Sequence, residues 1–475
     1  MAEAAEQTTW RESLGEMRSF LVIWAGQLVS ALGSGLTGFA VPVVVFQQTG
    51  SAEQFGLLIF AWMVPALLLA PIAGTLVDRW DRRTVLIAAD TGSAVMTLLL
   101  ATLVLSGRFE LWWLFLATVV TSAISAFQEP AFTASIAALV PHRHYARAIS
   151  LVQLLGPASM IAAPLLGGAL VVTIGLGKIM LIDAATFVAA VGGLLFVSIP
   201  RPPRAEAPEE VVVAGPAWLA AGRRFMRDAA AGLRFIRARP GLFGLLAFFA
   251  VTNFWGGFVN PLLGPMVLSF ARPEQLAGVQ AAAGVGAILG GVAMGIWGGP
   301  KRRVAAVLGF AGVAGLCTAA LGLRPSVPLI VGAVFVWAAS SPLVTASSSA
   351  IWMSKTPQEL LGRVFALRRM VTSSIMPLSV LVAGPLADRV FEPLLAPGGA
   401  LAGSAGTLIG VGKGRGIALM FLAIGVLMAL TALAGWLVPS IRHVERDVAD
   451  APHPTHAPPP PPEPADEELE VAATG

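Results

Sequence analysis

Three carboxylates, Asp90, Glu129 and Asp183, stand inside long apolar runs of the chain. A charge near the centre of a bilayer costs on the order of 3 kcal/mol or more, so each needs a partner, a water-filled cavity or a proton. The chemistry open to them is proton uptake and release. Glu129 lies in Phe127-Gln128-Glu129-Pro130, late in its run, where the proline break suits either an exchangeable carboxylate or a polar cap bonded to backbone. Asp90 and Asp183 lie about two helical turns from the ends of their runs, which also suits hydrated or helix-pairing residues. Other motif-like fragments fail. Gly410-Val411-Gly412-Lys413-Gly414 has no serine or threonine after its lysine, so it is no phosphate loop. His142 and His144 flank Arg143 without a third ligand, and Cys317 is the single cysteine, so neither a metal site nor a disulfide is expected. A membrane-embedded enzyme would need a nucleophile with its base near the surface; none is found, and no cofactor is implied.

The elements that must position these groups follow from hydropathy. Six apolar runs come first: Phe20 to Val45, Phe55 to Val77, Thr84 to Leu105, Leu111 to Phe127, Ile149 to Val172 and Ile179 to Ile199. Six more follow a polar break: Leu242 to Phe270, Leu276 to Trp297, Val304 to Leu323, Val327 to Ile351, Val364 to Ala387 and Ile417 to Val438. Each can cross the roughly 30 Å hydrocarbon core as a helix of ~20 residues. The chain is 56% hydrophobic and 12% charged, about half the charged share of an ordinary soluble protein, so lipid is its solvent. Its net charge of +4 is spread over short loops and makes no continuous patch, so nucleic acid is not an expected partner. The knot Gly74-Thr75-Leu76-Val77-Asp78-Arg79-Trp80-Asp81-Arg82-Arg83 turns between the second and third runs, and its arginines assign it to the cytoplasm. With both termini inside, Arg143, Arg147, Lys301, Arg302, Arg303, Lys355 and Arg363 also fall inside, while outer loops hold mostly one base each.

This divides the chain into a cytoplasmic tail (1–19), a six-helix half (20–199), a linker (200–241), a second half (242–438) and a disordered tail (439–475) rich in proline and acid. In the linker, Trp218, Phe225, Leu233, Phe235 and Ile236 alternate with Arg223, Arg224, Arg227, Arg234, Arg237 and Arg239, as in an amphipathic helix on an anionic leaflet. The halves echo each other. Glu53-Gln54 recurs as Glu274-Gln275, Arg82-Arg83 as Arg302-Arg303, and Pro130, Thr133, Ala134 and Ser135 as Pro342, Thr345, Ala346 and Ser347. Repeated halves about an axis along the membrane normal are a transporter architecture, with the substrate cavity between them.

The sequence here resembles the major facilitator superfamily. Gly74, Leu76, Asp78, Arg79, Arg82 and Arg83 match its loop signature G-x-L-a-D-r-x-G-r-k, with Asp81 in place of the second glycine. A narrower resemblance, to the third drug:proton antiporter family that includes macrolide and enterobactin exporters, rests on Gly26-Gln27, Leu361-Gly362-Arg363-Val364-Phe365 and Gly384-Pro385-Leu386-Ala387-Asp388-Arg389. Ala163-Pro164-Leu165-Leu166-Gly167-Gly168 is similar to the antiporter signature G-P-x-x-G-G. The resemblance implies an all-α fold of twelve membrane helices and an Asp78 that reaches the start of the eleventh helix near Arg363, latching the cytoplasmic side. Gly298 stands opposite Asp78 in the repeat, so the latch is expected to be one-sided. The first, fourth and seventh helices line the cavity in the family. That places Glu129 in its wall and adds Gln27, Ser30, Thr37, Asn253, Trp255 and Asn260 as lining candidates, suited to a bulky amphipathic ligand. The fourth helix lacks the family's arginine.

The expected activity is alternating-access export, coupled to protons, of an amphipathic drug-like compound, siderophore or metabolite. The expected site is the inner (plasma) membrane, and the expected form a monomer. A lipid flippase of the same fold and a non-transporting sensor are the alternatives. Close helix approach at Gly167 leaves no room for a side chain. Gly167→Leu is therefore expected to stop efflux or make the membrane leak, while Val172→Leu changes efflux little, measured per amount of protein in the membrane.

Overall fold

The computed structural model describes residues 15–77, 79–197, 227 and 230–451. Twelve of its helices are long and apolar enough to cross a membrane. The first half holds α1 (Arg18–Thr49), α2 (Ala52–Val77), α3 (Arg82–Leu105), α4 (Leu111–Leu139), α5 (Tyr145–Thr173) and α6 (Gly175–Phe196). The second holds α7 (Pro240–Leu268), α8 (Pro273–Trp297), α9 (Arg303–Leu321), α10 (Val327–Lys355), α11 (Gln358–Leu386) and α12 (Arg415–Leu437). No strand occurs among the described residues. In hydrocarbon the backbone must satisfy its polar groups internally, and a helix does so within one segment.

Within each half the packing repeats: α1 lies on α6 and α5, α2 on α4, and α3 on α6 and α4, while α8 lies on α10 and α9 on α12 and α10. The halves meet along two seams, α2 against α11 and α5 against α8. Lipid tails are as apolar as leucine, so what holds helices together is close fit and buried polar contact. One such contact bends α2. Pro65 and Pro71 interrupt it, and the Ser122 hydroxyl of α4 donates to the Trp62 carbonyl and accepts from Ala66 N at 3.1 Å, entering the α2 hydrogen-bond ladder. α7 breaks into Pro240–Gly256 and Val259–Leu268 just ahead of Pro261, which has no N–H to continue the ladder.

Two expectations change. The described part of the linker, helical over residues 230–237, does not lay its apolar face on lipid. Ile236 is fully buried with Leu242, Leu245, Ile351, Trp352 and Val364, and Leu233 and Phe235 pack on that cluster, because this half offers its own apolar groove. Trp218, Arg223, Arg224 and Phe225 lie outside the described residues. The tail is ordered to Ala451. Ile441 and Val444 are buried, Glu445 accepts from Arg303 N and Val304 N at the start of α9, and Lys355 donates to the Glu445 and Val448 carbonyls at 2.6 Å. A carboxylate on free helical N–H groups explains the order, since those donors have no partner in their own helix. At the same end, Glu16 takes hydrogen bonds from Arg143 and His144, and the Arg143 bond holds its carboxyl below the usual range.

Candidate functional site

Asp90 on α3 is fully buried and ties three helices together. Gln27 on α1 donates to Asp90 Oδ2 at 3.0 Å, and Gln128 on α4 donates to Oδ1 at 2.6 Å and to Gln27 Oε1 at 3.2 Å. Both carboxylate oxygens are thus met by neutral amides and by no cation. An ionised carboxylate only accepts, whereas a protonated one also donates, so a proton on Asp90 favours turning the oxygen of Gln27 or Gln128 toward it.

Asp183 on α6 is 3% exposed and accepts from Ser34 on α1 at 3.3 Å. The close approach of α1 and α6 here requires Gly33, where a Cβ would lie 2.2 Å from Thr186 Oγ1 and 3.0 Å from Asp183 Oδ1. Thr37 Oγ1, one turn along α1 from Gly33, is buried beside the same carboxylate. Glu129 is exposed, unlike the other two carboxylates. Ser30 is buried, Asn253 bonds back to the Phe249 carbonyl at 2.7 Å, Trp255 packs edge-on to Phe254, and Asn260 is exposed. The six cavity candidates therefore do not converge. Gln27 reaches Asp90 and Thr37 lies beside Asp183, and the second amide on Asp90, Gln128, is a residue that sequence reasoning passed over in favour of its neighbour Glu129. The signal that could have found it is the stripe of α4 through Leu114, Phe132 and Ser135, all buried, which contains position 128.

The seams are unequal along their length. At the end away from the termini they are tight. A Cβ on Gly384 would lie 2.4 Å from Glu53 Cα, one on Gly168 2.6 Å from Ala277, and one on Gly264 2.5 Å from Phe55. A core cluster crosses between the halves there, joining Phe39, Val43 and Ala52 to Leu262, Met266, Ala277 and Ala383. The antiporter-like stretch belongs to this region: Ala163 and Pro164 are buried, with Ala163 Cβ against α1 at Gly35, and a Cβ on Gly167 would touch Phe39 at 3.0 Å. At the end that carries the termini, added Cβ atoms on Gly74, Gly156, Gly291, Gly295 and Gly362 meet nothing within 4 Å. The face of α11 that meets α2 at Val380 and Gly384 continues through Ala366 and Gly362, which are exposed. The halves have parted at this end.

What fastens the tight end is a carboxylate. Asp388, in the π-helical turn Ala387–Phe391 that continues α11, accepts from Ser51 Oγ at 2.7 Å, Ala52 N at 3.1 Å and Glu53 N at 2.9 Å. Arg389 adds a bidentate pair with Glu53, at 3.1 and 2.6 Å. Arg389 is 70% exposed, so its pair contributes at most about 1 kcal/mol. Hydrogen bonds to a charged group are each worth about 1.5–3 kcal/mol, so Asp388 outweighs the arginine in holding this end. One turn later Glu392 accepts from Gly414 N and Ile417 N, both at 3.1 Å, at the start of α12.

This carboxylate clasp lies at the end opposite to the expected latch and is contributed by α11, not by the repeat of the loop. Of the expected latch residues, Asp78 lies outside the described residues and Arg79 is exposed. Arg82 donates to the Ala134 carbonyl at 2.8 Å, and Arg83 to the Leu194 and Leu195 carbonyls at 3.0 and 2.9 Å, so both brace helices of their own half. The Arg363 backbone packs against Gly232 of the linker helix. His144 bonds Glu16 at 2.9 Å, and no group of three metal-ligating side chains occurs among the described residues.

Comparison with known proteins gives one consistent result. The sequence profile of the Major Facilitator Superfamily matches residues 23–380. A macrolide efflux protein A of Streptococcus pyogenes is 26% identical over 78% of this chain and 90% of its own. The multidrug efflux pump Tap of Mycolicibacterium fortuitum is 25% identical over 78% of this chain and 89% of its own. Among solved structures, the nucleoside transporter NupG superposes with a TM-score of 0.64 at 14% identity, covering 87% of this chain and 98% of that one. A bacterial homologue of the iron transporter ferroportin, in an inward-facing state, gives 0.62 at 15% identity, covering 88% and 98%.

The seam geometry makes a direct prediction. Gly384→Leu cannot close the tight end, because its side chain meets the α2 backbone rather than a movable side chain. Spin labels at the exposed positions Lys178 and Arg324, on the two halves at that end, are expected to move apart in this variant. Gly309→Leu, placed in open space on α9 away from both seams, is expected to leave the distance distribution unchanged.

Proposed function

Since this chain belongs to the Major Facilitator Superfamily, and is a multi-pass membrane transporter rather than an enzyme, we propose that it is a proton-coupled exporter of an amphipathic drug-like compound, siderophore or metabolite. The observation that carries this reading is the unequal seam, closed at one end and parted at the other. A transporter working by alternating access must be able to rest in such a state. The parted end carries Arg79, Arg82, Arg83, Arg143, Arg147, Lys301, Arg302 and Arg303, and this density of bases supports a cytoplasmic placement of that end in the inner membrane, with both termini inside. Substrate then enters from the cytoplasm or inner leaflet and leaves when the seam closed by Asp388 opens. The efflux names of relatives at about a quarter identity, macrolide efflux protein A and Tap, support export of a bulky amphipathic compound.

Proton coupling is assigned first to Asp90. It is the buried carboxylate held by side chains of two helices, Gln27 on α1 and Gln128 on α4. Glu129, the leading expectation from sequence, stands second because it is exposed and bonded to neither amide, and Asp183 third. One proton moving inward down 100 mV supplies ~2.3 kcal/mol, enough to concentrate a neutral substrate outside more than tenfold.

In proteoliposomes, Asp90→Asn is expected to keep substrate exchange and to lose the response to an imposed pH gradient. Glu129→Gln should retain most of that response. If Asp90→Asn pumps with wild-type pH dependence while Glu129→Gln or Asp183→Asn does not, the proton site is misassigned; if none of the three responds differently from wild type, proton coupling through these carboxylates is wrong.

A further inference from the structure

Two arginines, Arg368 and Arg369, stand inside the span of α11. Arg368 follows the first residue of that helix, Gln358, by about 15 Å along the axis. It does not face lipid. Met370 and Leu381, exposed and apolar, mark the lipid side of α11, and at about 3.6 residues per turn Arg368 lies on the other side. Its guanidinium reaches to α10, donating to Ser348 Oγ at 3.0 Å, with Cζ 4.9 Å from the ring centroid of Trp352 and 5.0 Å from that of Phe365. Ser348 and Trp352 are both buried. Neither arginine forms an ion pair with a described residue. The indole N–H of Trp352 also has no acceptor among the described residues. Arg369 is exposed, as are Ala366 and Gly362 on the parted face of the same helix.

The fold itself does not demand this cation. The spacing that aligns Pro130 with Pro342 and Arg147 with Arg363 sets Ile136, Val140, Ile149 and Val152 of the first half against Ser348, Trp352, Phe365 and Arg368. There Ile136 and Val140 are buried and Val152 packs on them, so aliphatic contact fills the equivalent place. Ring contact and one neutral hydrogen bond compensate a desolvated guanidinium only in part, and apolar side chains in its stead are often as stable or more so. Asp90, Glu129 and Asp183, the carboxylates deep in the spans, all lie in the first half.

We infer that Arg368, held by Ser348, Trp352 and Phe365 and assisted by Arg369, binds an acidic group of the exported compound, so that the cargo is an amphipathic carboxylic acid in preference to an amine. This substrate class rests on the export reading. The rings lie against the faces of the guanidinium and leave N–H groups at its edge, the geometry that takes a carboxylate through two parallel hydrogen bonds. Ser348 holds one N–H, which fixes the plane before the acid arrives. Arg369, exposed beside the parted end, raises the local concentration of anions on the way in.

The test measures binding of a dansyl-labelled undecanoic acid, its methyl ester and the matching primary amine to the purified full chain in neutral detergent, read by dansyl emission. The parent is expected to bind the acid about tenfold more tightly than the ester, and the amine more weakly than either. Arg368→Gln should weaken the acid about tenfold and leave the ester unchanged, and the unchanged ester shows that the variant is folded. Arg368→Lys, which keeps the charge and loses the fork, should recover only part of the difference. Equal affinity of the parent for acid and ester, or equal loss of both in Arg368→Gln, would overturn the site. Should Arg368→Gln not fold, the parent's preference and its reduction in Arg369→Gln decide the matter. Displacement of the acid by phosphatidylglycerol as readily as by unlabelled undecanoic acid would assign the arginines to a lipid headgroup and overturn their part in cargo recognition. Binding in detergent requires no transport, so the two readings fail separately. An acid bound no better than its ester leaves export standing, whereas an acid bound through Arg368 that proteoliposomes do not concentrate removes it as cargo and export with it.

Discussion

The start of α2 lies buried between the halves, and a helix start carries N–H groups that nothing in its own helix can satisfy. Ala52 is 1% exposed, so water does not reach the site freely. Asp388, from the other half, supplies the missing acceptors. That requirement helps to couple the halves, because at the closed end a carboxylate of α11 sits on α2. It also explains why the closure can be reversible. When the end opens, water replaces the carboxylate on the N–H groups and the N–H groups on the carboxylate, so the net loss is far smaller than the gross strength of the bonds.

Close fit does the rest, and it works differently here than in a soluble core. Without a hydrophobic drive between helices in lipid, the seam is stabilised by backbone approach, and approach is set by residue size. Gly384, Gly168 and Gly264 all sit where a Cβ would strike the other half, Gly384 against its backbone. The glycines of the parted end, Gly74, Gly362 and Gly291, touch nothing in this state. Small residues at both ends with contact at one are what a seam needs if each end must close in turn.

Much of this was legible in the sequence, for reasons that are physical. Run length, the charge alternation of the loops and the echo between halves each follow from the membrane as solvent, and the twelve helices came out at those runs. The clasp was not legible, because the repeat misdirects. Internal repetition relates α2 to α8, so aligning the halves puts Gly298 opposite Asp78 and suggests that no second acid exists. The contact that closes the seam instead pairs α2 with α11, and Asp388 lies 335 residues from Glu53 in the chain. Glu129 drew notice as a carboxylate beside a proline, but the residue that engages a buried acid is its neighbour Gln128, and a neutral amide gives little signal in one sequence. The arginine-rich linker shows that an alternating pattern reveals an apolar face without saying what covers it: Ile236 found protein.

The buried acids and the seam share an element. α1 touches Asp90 through Gln27, Asp183 through Ser34, and the cluster that crosses between the halves through Phe39. These three positions span twelve residues, about 18 Å of one rigid helix. Gly33 and Gly35 fit α1 so closely to α6 and α5 that it cannot roll without moving them, and Phe39 bears on Gly167 of α5, one residue from the glycine that meets α8 across the second seam. A change in how Gln27 faces Asp90 therefore acts on a helix whose other contacts are with the parts that must separate. Interfaces packed this tightly move as units between discrete arrangements instead of deforming gradually. The proposed proton on Asp90 would need no long wire to reach the seam, because Gln27 is carried on a helix that already bears on it.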